Sequence, residues 1–337
     1  MTKDTWIEET KNELEKARLK NLVYSAFLRL DTEGVKALLG AKADPNAQYD
    51  DVSGNTAWHL AVLMGDIEIM SALLAIPGID PCAKNKQGKT ALHLLNDFGG
   101  DKAAEILLQL QIDPNIKDNS ECTALHSALL SGSLGVIKAL LKAQADPNAK
   151  DQRGKTALHY AASADDPDAI NLNQPHVVLI NDGVEVINVL LEAKADPNAQ
   201  DQQGNTALHL VHSASKVGVV KALLKTSVDL TIQNVDGDTA FHKVWDPKIS
   251  KLFLEGISLG RNGGYDLLSI KNNNNRTVED VLQESHGLNS YYEKWKLEIL
   301  QQSKVLDTGE SSVICSIDEA SYGGCDLPGQ ESQGSIA

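Results

Sequence analysis

The chain has 337 residues, 42% of them hydrophobic but only 4% aromatic, with 31 Lys plus Arg against 46 Asp plus Glu and a formal charge of −15. That apolar content excludes disorder throughout and implies a core of Ala, Leu, Val and Ile in thin layers. The acidic balance repels phosphates and anionic lipid, so neither nucleic acid nor a membrane surface is expected as a partner. At roughly 100–200 residues per domain the length alone would suggest two domains. The four cysteines, Cys82, Cys122, Cys315 and Cys325, have neither zinc-ligand nor small-domain disulfide spacing, which favours a reducing compartment. No apolar run reaches the roughly 18 residues of a membrane span, and the first residues lack the apolar stretch of a signal peptide. A soluble, cytoplasmic monomer is the expectation.

In chain order, residues 1–19 predict a charged amphipathic helix that closes the first repeat. Residues 20–50 predict an N-terminal capping repeat, with Asn21 as helix N-cap and Asp44-Pro45-Asn46 as the stop. The array itself spans 51–287. There Thr-Ala-Leu-His occurs at 90–93, 123–126, 156–159 and 206–209, with Trp58 or Phe241 replacing Leu in the strings at 56–59 and 239–242. Thr before an apolar run caps a short first helix. A second helix follows, as at 136–142 with apolar residues at i, i+1, i+4 and i+5. Asp-Pro-Asn or a relative stops it, because proline disfavours helical backbone in the residue before it. A polar turn with glycine leads to the next cap, except that Glu121 stands where glycine is expected. The threonines at 156 and 206 are separated by an extra 17 residues, placed as an insertion at about 163–183 between the two helices of that unit. Residues 276–282 read as a degenerate last repeat. Leu288, Tyr292, Trp295 and Ile299 predict a C-terminal capping helix over 288–306, and the Ser-, Gly- and acid-rich 307–337 reads as a disordered acidic tail.

These residues resemble the ankyrin repeat, a unit of about 33 residues marked by Thr-Pro-Leu-His-x-Ala. The resemblance implies an all-α solenoid of helix-turn-helix units with short hairpin loops. It also implies that the six register-identical histidines, His59, His93, His126, His159, His209 and His242, bond neighbouring backbone and order the hairpins. His176, His212 and His286 have no Cys, Ser or Glu at motif spacing. Walker, nucleophile-elbow, kinase and His-Glu-x-x-His strings are absent, so neither an enzyme nor a cofactor is expected.

The resemblance further implies protein binding through the hairpin tips and the groove lined by the first helices. Carried over residue by residue, the groove contributes Leu63, Met64, Asp97, Phe98 and Leu130, and the tips contribute Lys86, Lys89, Arg153, Lys155, Gln203 and Asn205. Leu63, Met64, Phe98 and Leu130 would form an apolar strip; the alternative is that Met64 and Phe98 pack between repeats. Lys84, Lys86, Lys89, Lys117, Lys150, Arg153 and Lys155 would steer an acidic partner, unless they are ordinary solubilising charge. Three functional classes remain open: an intracellular binding scaffold, an effector translocated from an intracellular bacterium into a host cell by a route needing no signal peptide, and a targeting subunit for a separate enzyme.

Overall fold

The computed structural model describes residues 3–29, 31–40, 43–49, 52–95, 100–163, 183–211, 216–244, 246–258, 264–284, 289 and 291–297. Among them the fold is helical, with no strands beyond two isolated bridges. Met1 to Ser290 form one compact unit and the residues from Tyr291 a second.

The first unit opens with α1 (Lys3–Leu28) and α2 (Thr32–Gly40). Here the structure corrects the sequence reading. No Gly or Pro interrupts residues 3–28, so one helix runs through the boundary expected between 19 and 20. Asn21 lies inside that helix and caps nothing. Asp31 is the cap: its Oδ1 accepts from Gly34 N at 2.8 Å and its carbonyl from Val35 N. Among the side chains of α1 described from residue 11 on, Val23, Ala26 and Phe27 are buried, while residues 11–18 are exposed. The end of α1 therefore serves as the first helix of the capping repeat.

Each following repeat pairs a short first helix with a second one at least as long. The pairs are α3 (Ala57–Met64) with α4 (Ile67–Leu74), then the single 3₁₀ turn Ala91–Leu94 with α5 (Gly100–Gln109), then α6 (Ala124–Ser131) with α7 (Leu134–Lys142). The fourth pair is α8 (Ala157–Ser163) with α9 (Gly183–Glu192), and residues 164–182, most of the expected insertion, lie between them outside the described residues. The 3₁₀ turns Ala207–Leu210 and Ala240–Lys243 precede α10 (Val217–Leu224) and α11 (Pro247–Ser258). The 3₁₀ turn Gly264–Ser269 and α12 (Val278–Glu284) end the array.

First helices pack on first helices, and second helices on second helices except that α4 and α5 barely meet, in two layers. The seam is filled by Ala57, Ala91, Ala124, Ala157, Ala207 and Ala240, together with Leu92, Leu125, Leu158 and Leu208, all essentially buried. Small Ala side chains admit close approach of backbone; Leu fills the remainder, which is how a chain poor in aromatics builds a dense core. Several second helices end in a left-handed residue. At Gln144 (φ 68) and Lys194 (φ 69), Ala145 N and Ala195 N reach back to Leu140 O and Leu190 O, taking up terminal carbonyls.

Of the second unit, residues 291–297 form a helix in which Tyr292 and Trp295 are buried and stack with ring centroids 6.0 Å apart. Leu288, Ile299 and the tail 307–337 lie outside the described residues.

Candidate protein-binding surface

The polar apparatus of the repeat must be accounted for first, because it fixes what is left over for a ligand. In all six Thr-Ala-x-His strings the threonine N–H donates to Nδ1 of the histidine three residues on, at 3.0–3.4 Å. The threonine hydroxyl lies 2.8–3.0 Å from the same nitrogen. A backbone N–H can only donate, so Nδ1 accepts and the proton resides on Nε2. Nε2 then donates, at 2.8–3.2 Å, to the carbonyl of the residue preceding the next threonine: Lys89, Cys122, Lys155, Asn205, Asp238 and Arg276. Each histidine thus caps its own helix and ties it to the next repeat. Burial, the largest cause in every case, lowers the pKa of all six, and that of His209 to about 4. They are neutral structural groups, as the resemblance implied.

The hairpins follow one plan, illustrated by the fourth. Asp151 N donates to Lys155 O and Gly154 N to Asp151 O, while Asp151 Oδ1 accepts from Arg153 N and Lys155 N, both at 2.8 Å. The residue before the last must adopt positive φ, and glycine supplies it at 88, 154, 204 and 237; Glu121 (φ 58) is forced into the same region, a strain worth about 1–2 kcal/mol in a non-glycine residue. Neighbouring tips join by backbone bonds of 2.9–3.0 Å, from Lys86 N to Ser53 O through to Asn273 N to Asp236 O. Side chains add a parallel ladder: Lys84, Lys117 and Lys150 each donate through Nζ, at 2.8 Å, to the carbonyl of the equivalent residue one repeat on, Lys117, Lys150 and Gln200. Gln200 and Gln233 continue it with amides to Gln233 O and Lys271 O. The 33-residue recurrence of Lys84, Lys117 and Lys150 is the signal in the sequence for this ladder, beyond the acidic-partner steering or solubilising charge expected of these lysines.

Against this background the expected binding residues separate. Arg153 and Gln203 are exposed on the tips, as is Lys86, while Lys89 and Lys155 are half-buried. Asn205 is engaged internally: its carbonyl receives His159 Nε2 and its Oδ1 accepts from Asn234 Nδ2 at 2.9 Å. On the first-helix side Leu63 is 43% exposed at the end of α3, with Met64 and Leu130 half-buried beside the helix ends. Asp97 and Phe98 fall outside the described residues. Val52, 89% exposed, and Val235, 63% exposed, stand at the same position of their hairpins.

The nearest approach to a reactive cluster is Cys122, whose Sγ lies 3.9 Å from Tyr160 Oη; that hydroxyl donates to Asp151 Oδ2 at 2.8 Å. Burial, reinforced by the Asp118 carboxylate, pushes the thiol up to about 11, so it stays protonated and a poor nucleophile at neutral pH. Among the described residues no three His, Cys, Asp or Glu are placed to hold a metal ion, and no helix is long and apolar enough to cross a membrane.

Known proteins share this architecture. The family model described as ankyrin repeats (3 copies) matches residues 22–118, 98–172 and 176–261. Among solved structures, the ankyrin repeat domain of Bcl-3, a member of the IkappaB protein family, is similar with a TM-score of 0.54 at 21% identity, over 69% of this chain and 97% of that one. No curated protein matches the chain significantly.

Proposed function

The chain belongs to the ankyrin-repeat family, and from that premise we propose that it is a non-enzymatic scaffold that binds a partner protein through its hairpin tips and first-helix face. The observation that carries this reading is the disposition of polar groups. The threonines, histidines and turn carboxylates that a catalytic site could recruit are spent on bonds within and between repeats. What varies outwardly from unit to unit is a row of side chains suited to contact: Val52, Arg153, Gln203 and Val235 on the tips, and Leu63 beside Met64 on the helix face. A rigid row whose exposed positions change without touching the core is what repetition provides. Exposed Leu63 is the apolar anchor, and a few such anchors carry most interface energy.

The test is capture of partners from a cell lysate by the full chain and by Leu63→Asp. The substitution sits at an exposed helix end, so thermal unfolding should be unaltered while at least one captured protein is lost. Identical capture by both chains would overturn the assignment of this face.

A further inference from the structure

We propose that the second, third and fourth hairpins hold an acidic, extended stretch of the partner, gripped by a line of lysines fixed in place by the inter-repeat ladder; this rests on the protein-binding reading above. Residues 84–89, 117–122 and 150–155 carry seven cations against three carboxylates, in a chain whose formal charge is −15. Two of those carboxylates, Asp118 and Asp151, are buried and bound to backbone N–H groups of their own turns. Only Glu121 faces a cation, lying 3.1 Å from Lys117 Nζ. The next two hairpins, 200–205 and 233–238, carry three carboxylates and no cation. The positive charge is therefore concentrated in one stretch of the row; the last hairpin, 271–276, adds only Lys271 and Arg276, the latter paired with Glu284. At physiological ionic strength the Debye length of about 8 Å screens it from acids elsewhere on the surface.

The ladder itself shows that this charge is surplus to folding. Gln200 and Gln233 make the same carbonyl bonds with a neutral amide that Lys84, Lys117 and Lys150 make with an ammonium. An amide would satisfy the architecture at all five places, yet three carry lysine. Each ammonium has lost its conformational freedom to the carbonyl bond and keeps further N–H donors for a ligand. Lys89 and Lys84 both stand near enough to His93 to disfavour its protonation, as do Lys155 and Lys150 to His159. With packed helices about 8–10 Å apart, three rungs span roughly 20 Å, the reach of about six extended residues. A glutamate- or aspartate-rich segment fits this line. A nucleic acid fits it less well, because the tips offer no aromatic side chain on which bases could stack.

The experiment measures binding of a fluorescein-labelled glutamate-rich peptide to the full chain, beside the same peptide with Gln for Glu, over a range of salt. The acidic peptide should bind and weaken as salt rises; the neutral one should not bind. The triple variant Lys84→Gln, Lys117→Gln and Lys150→Gln should keep its thermal midpoint and bind about tenfold more weakly. Lys150→Gln alone, next in line to the native Gln200, should give a smaller loss in the same direction if the triple variant fails to fold. Equal binding of both peptides, unchanged binding by a folded variant, or equally tight binding of a single-stranded DNA of matched charge would overturn the proposal. Partner capture that depends on Leu63 but ignores the lysine changes would leave the protein-binding reading standing and remove this one.

Discussion

At the residue scale, the histidine of each repeat shows how one side chain can be both legible and only half understood from sequence. Its recurrence at one point of the repeat, read through the resemblance to the ankyrin repeat, implied a structural role, and the bonds bear that role out in all six copies. The tautomer follows only from geometry, since it needs the threonine N–H on one side and a carbonyl of the next repeat on the other. A consequence is pH dependence. Protonating Nδ1 would forfeit the threonine N–H bond, and burial opposes the added charge, so the folded-state pKa lies below the unfolded value of about 6.5. Stability is then fully present above pH ~6.5 and is lost as pH falls toward the folded value, because the unfolded chain takes up protons first. For His209, at about 4, the loss by that pH is roughly 3 kcal/mol, with the other five adding in the same direction. Urea midpoints measured from pH 7.5 down to 4.5 should fall steadily, and His209→Gln should shallow the fall. Midpoints that stay level through this window would contradict the account.

At the scale of elements, the links between repeats differ more than the repeating sequence suggests. Four asparagines of the Asp-Pro-Asn stops (Asn46, Asn115, Asn148 and Asn198) bridge to the next stop. Each donates through Nδ2 to a carbonyl at 2.7–3.2 Å and accepts at Oδ1 from the backbone N–H two residues further on, at 2.7–2.8 Å. At the stop Asp80-Pro81 the third residue is Cys82, exposed and unable to make either bond. The second helices on the two sides of that stop, α4 and α5, barely meet, whereas the other second-helix neighbours pack together. This seam is closed on the hairpin side by His59, Lys86 N and the Asn85–Asn55 bond, and lacks the asparagine bridge on the other. Cys82→Asn should rebuild the bridge to Gln111 O and Asp113 N and raise stability by about 1 kcal/mol, read as a thermal midpoint higher by about 2–4 °C. An unchanged or lower midpoint would show that the seam cannot accept the link. The departure at Cys82 was visible in the sequence, but the pair of bonds it removes was not, because they join residues about a repeat apart. The same limit explains α1: capping propensity nominated Asn21, and continuous helix formers from Lys3 to Leu28 outweighed it. It also explains the first helices that are single 3₁₀ turns, since the shared Ala-Leu-His or Ala-Phe-His string carries no sign of where each helix stops.

At the scale of the whole molecule, the fold was legible because periodicity is a global property of the sequence, and the family match bears it out. The binding face was legible only in part. Composition showed an acidic chain, and the cluster of lysines was visible. Which lysines are spent on carbonyls, and which of the expected tip residues, such as Asn205, face inward, depends on how hairpins stack. The resulting molecule presents three different surfaces along one frame: an apolar helix end at Leu63, a cationic stretch from Lys84 to Lys155, and an anionic stretch over the next two hairpins, 200–205 and 233–238. The central claim is that a partner protein binds the side bearing the tips and first helices and leaves the second helices bare. Site-specific photo-crosslinking tests it most directly, with the reactive residue placed at Leu63 or Arg153 in one set of chains and at exposed Glu105 of α5 or Asn188 of α9 in another. The account predicts a covalent adduct with the same partner protein from positions 63 and 153 and none from 105 and 188; adducts formed equally from all four, or from the second-helix positions alone, would contradict it.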